Sequence, residues 1–323
     1  MVQLVRAASL TKYTEIAREC GLDPLALLRK HGMSTKLLAD PERHIPILPV
    51  MALLEESAQL AACPSFGLRM AESREFADLG GIGLLLMFQR SLGDALTTLI
   101  GYLGMVIPAE AMSLEREGTL AVLRMRLLSG SDVYSPQSEE LVAGVVWRMF
   151  EALFGPRLCP RAVHFIHAGP SDQRVHQRVF GCPVRFRSEF NGLTLAAADL
   201  AVPNPGADHA MARVARRLLD AQPAAGKVRS VAQEVRRAIF LLLPAGRATI
   251  EQVALGVGRN VRTLQRELEE EHVTFSELLD DVRGELVMPY LENRELSLAR
   301  VAVLLGYRMP SSLTRWFTLR FGT

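Results

Sequence analysis

Apolar positions recur at helical spacing through most of the first hundred residues. Leu10, Tyr13, Ile16 and Ala17 share one face of "LTKYTEIAREC", which Gly21 stops. Asp23 as a cap and Pro24 at the first helical position start a second helix in "DPLALLRKHG". "PVMALLEESAQLAAC" and "SLGDALTTLIGYLGM" keep the same period. The period then changes. "LAVLRMRLL" alternates around Arg124 and Arg126 and predicts a strand, with "EAMSLEREG" as its hairpin partner and Gly118 near the turn. A helix fits "SEELVAGVVWRMFEALFG". "RAVHFIH" and "LTLAAADL" read as two more strands, and "PSDQRVHQRVFG" between them as a helix capped by Ser171 or Asp172. The front two thirds is therefore expected to be α+β.

"ADLAVPNPGADHA", with two prolines and a glycine, marks a boundary or exposed loop; the helix "ARVARRLLDAQ" and the weakly ordered "PAAGK" follow. The predicted division is residues 1–200, a linker with a short helix over 201–227, and residues 228–323. From Val228 onward every periodic stretch is helical. Thr249 and Gln252 read as a capping box opening a helix whose apolar face is Ile250, Val253 and Ala254. Gly256 and Gly258 end it and permit the positive φ of a sharp turn. Asn260 caps the next helix, which buries Val261, Leu264 and Leu268 and turns Arg262, Gln265 and Arg266 outward. This reads as a helix-turn-helix. Arginine can bridge guanine and glutamine adenine in the major groove.

The pattern occurs twice. Ile250, Val253, Ala254 and Gly258 match Leu298, Val301, Ala302 and Gly306 at an offset of 48. After one extra turn residue, Leu264, Arg266 and Leu268 match Leu313, Arg315 and Phe317 at an offset of 49. Between the copies, "TFSELLDDVRGELVMPYLEN" predicts a long connecting helix, boxed at its start by Thr274 and Glu277. Joined rigidly, two such helices could meet major-groove faces one turn, ~34 Å, apart.

Composition narrows the function classes. The chain of 323 residues is 49% apolar and 22% charged, with a net charge of +2. From residue 225 on it carries 14 Lys/Arg against 12 Asp/Glu, and before that 23 against 23. A nucleic-acid surface must then be local, with basic side chains gathered on one face. Cys20, Cys63, Cys159 and Cys182 form no CxxC pair, which excludes a zinc or dithiol signature and suggests free thiols in a reducing compartment. The N-terminal apolar run is too short for a signal peptide, and "GGIGLLLMF" falls short of the ~20 residues a spanning helix needs. A cytoplasmic protein is expected, with no membrane partner.

The repeated unit, with "RTLQREL", "TFSELLDDVR", "LSLARVAVLLGY" and "SSLTRWF", resembles the DNA-binding domain of AraC/XylS-type bacterial transcription regulators. "LGGIGLLLMFQRSLGDALTTLIGYLGM" and "FGPRLCPRAVHFIHAGPSDQRVHQRVFGCPVRF" are similar to the effector-sensing, dimerising domain of a subgroup that is not of the cupin type, since no run of strands is long enough for a barrel. The resemblance implies an α+β effector and dimerisation domain, then an all-α domain with two helix-turn-helix motifs joined by a long helix. It also implies a sequence-specific regulator, expected to activate transcription, that answers to a small-molecule effector, pairs as a homodimer and meets RNA polymerase on double-stranded DNA. Carried over, Arg262, Gln265 and Arg266 contact bases from the first reading helix and Ser311, Ser312, Thr314 and Arg315 from the second, with Arg308 on a phosphate.

This sequence departs from the family's pattern at three places. Gly284 and Pro289 lie inside the connecting helix, where an interior proline costs about 3 kcal/mol and kinks the axis. Pro310 stands near the start of the second reading helix, where proline is tolerated. The sequence ends at "RFGT" where members usually add a proline and a last helix, which leaves Phe317 and Phe321 without that cover.

No catalytic residue, metal ligand or cofactor site stands out. His164 and His167, expected on opposite faces of one strand, are two potential ligands where a metal needs more, and His31 and His44 read as surface groups. Cys159 has no histidine beside it that would make it a nucleophile. The alternatives to an effector-responsive regulator are an enzyme tethered to DNA and a constitutive DNA-binding protein. "GGIGLLLMF" and "LTTLIGYLGMVIP" either line an apolar pocket or form plain core, and Arg124 and Arg126 either meet an acidic effector or face water. The effector-binding residues stay unassigned.

Overall fold

A computed structural model describes residues 3–74, 76–107, 109–155, 158–221 and 230–322. The chain folds as two compact units, one over Val2–Leu127 and Ser135–Lys227, the other over Leu128–Tyr134 and Val228–Thr323.

The first unit is α+β. A short antiparallel pair, β1 (Leu4–Arg6) and β2 (His44–Pro46), sets Val5 opposite Ile45. Around it run α1 (Tyr13–Glu19), α2 (Pro24–Lys30), α3 (Thr35–Leu38), α4 (Ile47–Leu60), α5 (Phe66–Glu72), α6 (Gly81–Met87) and α7 (Leu92–Val106). As the pattern predicts, the Asp23 carboxylate accepts from the Leu25 and Ala26 amides and Pro24 opens α2. The main sheet comprises β3 (Glu110–Glu117), β4 (Leu120–Leu127), β5 (Ala162–His164), β6 (Val184–Arg185) and β7 (Asn191–Ala196). Its order is β3-β4-β7-β5-β6, antiparallel except between β5 and β6. The β3–β4 hairpin turns through Gly118 at φ +62°.

Helix α8 (Pro136–Phe154) is the spine of this unit. It is buried on most of its circumference, with Leu141, Ala143, Val146, Trp147, Met149 and Phe150 all in the core. Each large side chain there contributes ~1.5–3 kcal/mol of burial. Two glycines let α5 and α8 touch: a Cβ on Gly144 would come within 2.7 Å of Ala71 Cβ, and one on Gly67 within 2.0 Å of the Gln137 carbonyl oxygen. Helix α9 (Arg174–Phe180) begins after Gln173, not after a capping Ser171 or Asp172; the Asp172 carboxylate accepts from the Arg174 amide one position too early to be the cap. Helix α10 (His209–Ala221) buries Ala215 and Leu219 and leaves Met211, Val214 and Leu218 exposed.

Burial reassigns several polar residues. Arg126 does not face water: it is 1% exposed and donates to the Glu139 carboxylate of α8 at 3.1 Å, because α8 covers that end of β4. Arg124, on the same face, lies half-buried 4.5 Å over the Phe190 ring and pairs with Glu115 and Glu117. β5 ends at His164, so His167 lies beyond the strand rather than on its opposite face. His167 and His176 each place Nε2 3.0 Å from Oε1 of buried Glu140. His31 is not a free surface group either; its Nε2 lies 2.7 Å from Glu56.

The second unit is helical throughout its described elements: α11 (Val231–Leu242), α12 (Ile250–Gly256), α13 (Val261–Glu270), α14 (Phe275–Glu292), α15 (Leu298–Leu304) and α16 (Pro310–Phe321). Helix α14 runs unbroken through Gly284 and Pro289, both buried. Among the described residues no helix is long and apolar enough to cross a membrane. Nor do three or more His, Cys, Asp or Glu residues there gather as a group that could hold a metal ion.

Candidate nucleic-acid interface

The first helix pair is built largely as the sequence implies, with departures at its cap and at Gly256. Thr249 Oγ1 accepts from the Gln252 amide, but the Gln252 side chain accepts from Arg247 at 2.9 Å instead of returning to the cap, so the box is half-formed. Val253 and Ala254 are buried. Gly256 stays helical, and the turn is made by Gly258 alone at φ +70°. The Asn260 side chain then accepts from the Thr263 amide at 2.8 Å and starts α13. Leu264 and Leu268 face the core, while Arg262, Gln265 and Arg266 are exposed. Arg266 has only a loose ion pair, 3.7 Å to Glu270, with both side chains about 70% in solvent.

Arg259 departs from this set. Its guanidinium donates to Glu234 of α11 at 2.8 Å, to Glu267 of α13 at 2.5 Å and to the Val257 carbonyl at 3.0 Å. It clamps the turn onto the body of the unit, its guanidinium taken up by two carboxylates and a carbonyl.

The second pair repeats the plan. Ser297 caps α15, accepting from the Arg300 amide at 3.2 Å, and Val301 and Ala302 are buried. Gly306 turns at φ +75°. The connection Leu305–Met309 is one residue longer than Val257–Asn260, and Pro310 occupies the first position of α16. Leu313 is buried, and Arg308, Ser311, Ser312, Thr314 and Arg315 are exposed. Thr314 partly satisfies its hydroxyl by donating to the Pro310 carbonyl at 3.2 Å. Leu298, matched to the apolar face of the first copy, is instead 49% exposed. Phe317 and Phe321 cover one another, with ring centroids 4.7 Å apart.

Helix α14 packs against α11 on one side and the second pair on the other. Its capping box is complete, with the Thr274 amide donating to Glu277 at 2.7 Å and the Glu277 amide to Thr274 Oγ1 at 3.3 Å. Arg283 donates to the Leu305 carbonyl at 3.1 Å and lies 4.2 Å over the Tyr307 ring, and Trp316 Nε1 donates to Asp280 at 3.1 Å. On the other side buried Glu285 pairs with buried Arg236 of α11. Glu271, just before α14, accepts from Ser230 Oγ at 2.7 Å and from the Val231 and Ala232 amides, closing the start of α11. α14 thus holds the second pair directly, and the first through α11, to which Arg259 ties the turn before α13.

Comparison with known proteins identifies the family. Residues 21–204 match the arabinose-binding N-terminal domain of AraC transcription regulators. The chain is 30% identical over 324 residues to the HTH-type transcriptional regulator VirS of Mycobacterium tuberculosis, covering 97% of this chain and 94% of that protein. It is 24% identical over 318 residues to the ornithine utilization regulator of Pseudomonas aeruginosa, covering 98% and 93%. A solved structure of the transcriptional regulator CdpR from Pseudomonas aeruginosa aligns over 95% of each chain at 22% identity with a TM-score of 0.45. The chain belongs to the AraC/XylS family of DNA-binding transcription regulators, in the subgroup with an arabinose-binding-type N-terminal domain.

Proposed function

We propose that the chain is a sequence-specific, effector-responsive transcriptional activator. In this reading residues 1–200 form the effector and dimerisation domain, 201–227 the linker with its short helix, and 228–323 a DNA-binding domain of two helix-turn-helix motifs. Helices α13 and α16 are the reading helices. Arg262, Gln265 and Arg266 contact bases from the first, and Ser311, Ser312, Thr314 and Arg315 from the second, while Arg308 contacts phosphate. The observation that carries this is a segregation: all eight of these side chains are exposed, while Val253, Leu264, Leu268, Val301 and Leu313 behind them are buried. Arginine and glutamine can each make paired hydrogen bonds to a purine edge, and hydroxyls can serve either donor or acceptor. A homodimer would present four reading heads and recruit RNA polymerase beside its site. No enzymatic chemistry is assigned.

Selection of bound sequences from a random duplex pool tests the reading. The intact protein should recover a defined motif, and Arg266→Ala or Arg315→Ala should each relax it at a different position and weaken binding by ~1–3 kcal/mol. A motif and affinity unchanged by both substitutions would contradict the assignment.

A further inference from the structure

The front unit contains a cavity of about 100 Å³ whose walls are almost wholly apolar, with Ile82 of α6, Leu99 and Leu103 of α7, Met51 of α4 and Val146 of α8 among them. A plain core would close such a space, since interiors pack with few voids larger than a water. One end of the lining is different. Arg6, Ser9, Arg74 and Asp78 all face the same space. Arg6 is 7% exposed; one end of its guanidinium pairs with Glu42, and its Nε has no hydrogen-bond partner. The Arg74 guanidinium donates to the Ser9 carbonyl, but its Nε and Ser9 Oγ, both sealed from solvent, are likewise unmatched. Glu42, the partner of Arg6, is 64% exposed and lies at the surface, and among the described lining residues two guanidinium groups stand beside one carboxylate, Asp78. Burial pulls Arg74 down to about 10, attraction from Asp78 opposes this, and repulsion from Arg6 adds to it. Buried donors without partners are costly and rare in native proteins.

We infer that this cavity is a binding site for a small amphipathic carboxylate, its head on the Arg6 and Arg74 guanidinium groups and Ser9 Oγ and its hydrocarbon tail among the apolar walls. The assignment rests on the reading that the front domain binds an effector, and it names the chemical class. The carboxylate supplies acceptors to the unmatched Nε atoms and to Ser9 Oγ beside two guanidinium groups. A phosphate or sugar would leave the apolar walls unused. An alkylamine would answer Asp78 but add charge beside two arginines. The enclosed space is limited, which sets a short tail.

The test uses the full chain and three six-carbon probes: hexanoate, 1-hexanol and hexylammonium. Each is followed by calorimetric titration and thermal shift. Hexanoate should raise the melting temperature saturably and bind at least about tenfold tighter than 1-hexanol, equal to 1.4 kcal/mol. Hexylammonium should bind no better than the alcohol. In Arg74→Gln that preference should disappear while 1-hexanol binds as before, which also reports that the variant is folded. Equal binding of hexanoate and 1-hexanol to the unaltered protein, preference for hexylammonium, or no binding by any of the three overturns the proposal. Operator binding separates the two claims. If hexanoate binds as described but leaves DNA affinity unchanged, the cavity assignment stands and the effector reading fails. If a chemically unrelated metabolite stabilises the protein and alters DNA affinity while hexanoate does neither, the effector reading stands and this assignment falls.

Discussion

Gly258 and Gly306, 48 positions apart, make the same left-handed turn in two successive helix pairs, at φ +70° and +75°. Their surroundings differ. A Cβ on Gly258 would meet open space, whereas one on Gly306 would press on Leu243 Cδ1 and its carbonyl oxygen at 3.1 Å. Left-handed backbone costs a residue with a side chain ~1–2 kcal/mol. Gly258→Ala should therefore lose about that much stability, and Gly306→Ala clearly more, by urea denaturation of the full protein.

Arg259 and Arg266 occupy neighbouring turns yet should fail differently. Arg259 joins α11, α12 and α13 through two carboxylates and a carbonyl, while Arg266 is mostly in solvent. Arg259→Met is expected to destabilise the second unit by ~1–2 kcal/mol and leave base preference intact. Arg266→Ala should leave the melting temperature within the error of a surface substitution and change base preference. Melting curves set beside sequence selection would separate the two; a shared phenotype would refute the distinction.

Arg308 sits exposed in the turn before α16. A contact to phosphate releases counterions but reads no sequence. Arg308→Ala should weaken binding evenly across duplex sequences and reduce the slope of log affinity against log salt by about 1. Mobility-shift titrations at several salt concentrations measure this directly.

Stability of the first unit should fall in mild acid because of His164. Burial, then Arg185 and Arg124, hold its pKa down to about 4. Its nitrogens are already engaged, Nδ1 3.3 Å from Ser188 Oγ and Nε2 3.0 Å from Thr194 Oγ1. An unfolded histidine near 6.5 takes up its proton first. The stabilisation is thus complete above pH 6.5 and is lost as pH drops toward 4. Allowing for partial exposure, the loss is roughly 1–2 kcal/mol. His164→Gln should flatten the pH dependence across that window. Trp147 fluorescence in a Trp316→Phe background reads the first unit alone.

Much of this architecture was legible where local chemistry and packing agree. Alternation through Leu120–Leu128 marked β4, Gly118 marked its turn, and the Thr274–Glu277 box marked the start of α14. Apolar period and capping pick out Arg262, Gln265 and Arg266, because they fix which way a helix faces; Arg308, Ser311, Ser312, Thr314 and Arg315 come from the family resemblance. Failures came where a partner lies far along the chain. β1 and β2 are three residues each, too short for a periodic signal, and pair across some forty residues. Arg126 looked like a solvent-facing charge because Glu139, its buried partner, stands on another element. Arg259 lies among the basic side chains around the first turn, and only folding reveals Glu234 beside it.

The cavity shows the same limit. Ile82, Leu99, Leu103 and Ile107 lie in stretches whose periodicity suited pocket and core equally. What distinguishes the space is its polar end, and Arg6 and Arg74 come from segments with no shared pattern. At Pro289 the sequence warns of a kink, and α14 continues as helix through it, held on both flanks by Glu285, Arg283 and their partners.

Hydroxyl-radical footprinting on the selected operator tests the two-reader arrangement most directly. Each chain should protect two backbone segments about one helical turn, ~34 Å, apart on one face of the duplex. Arg266→Ala should weaken one segment and Arg315→Ala the other. A single protected segment per chain, or two that respond identically to both substitutions, would contradict the account.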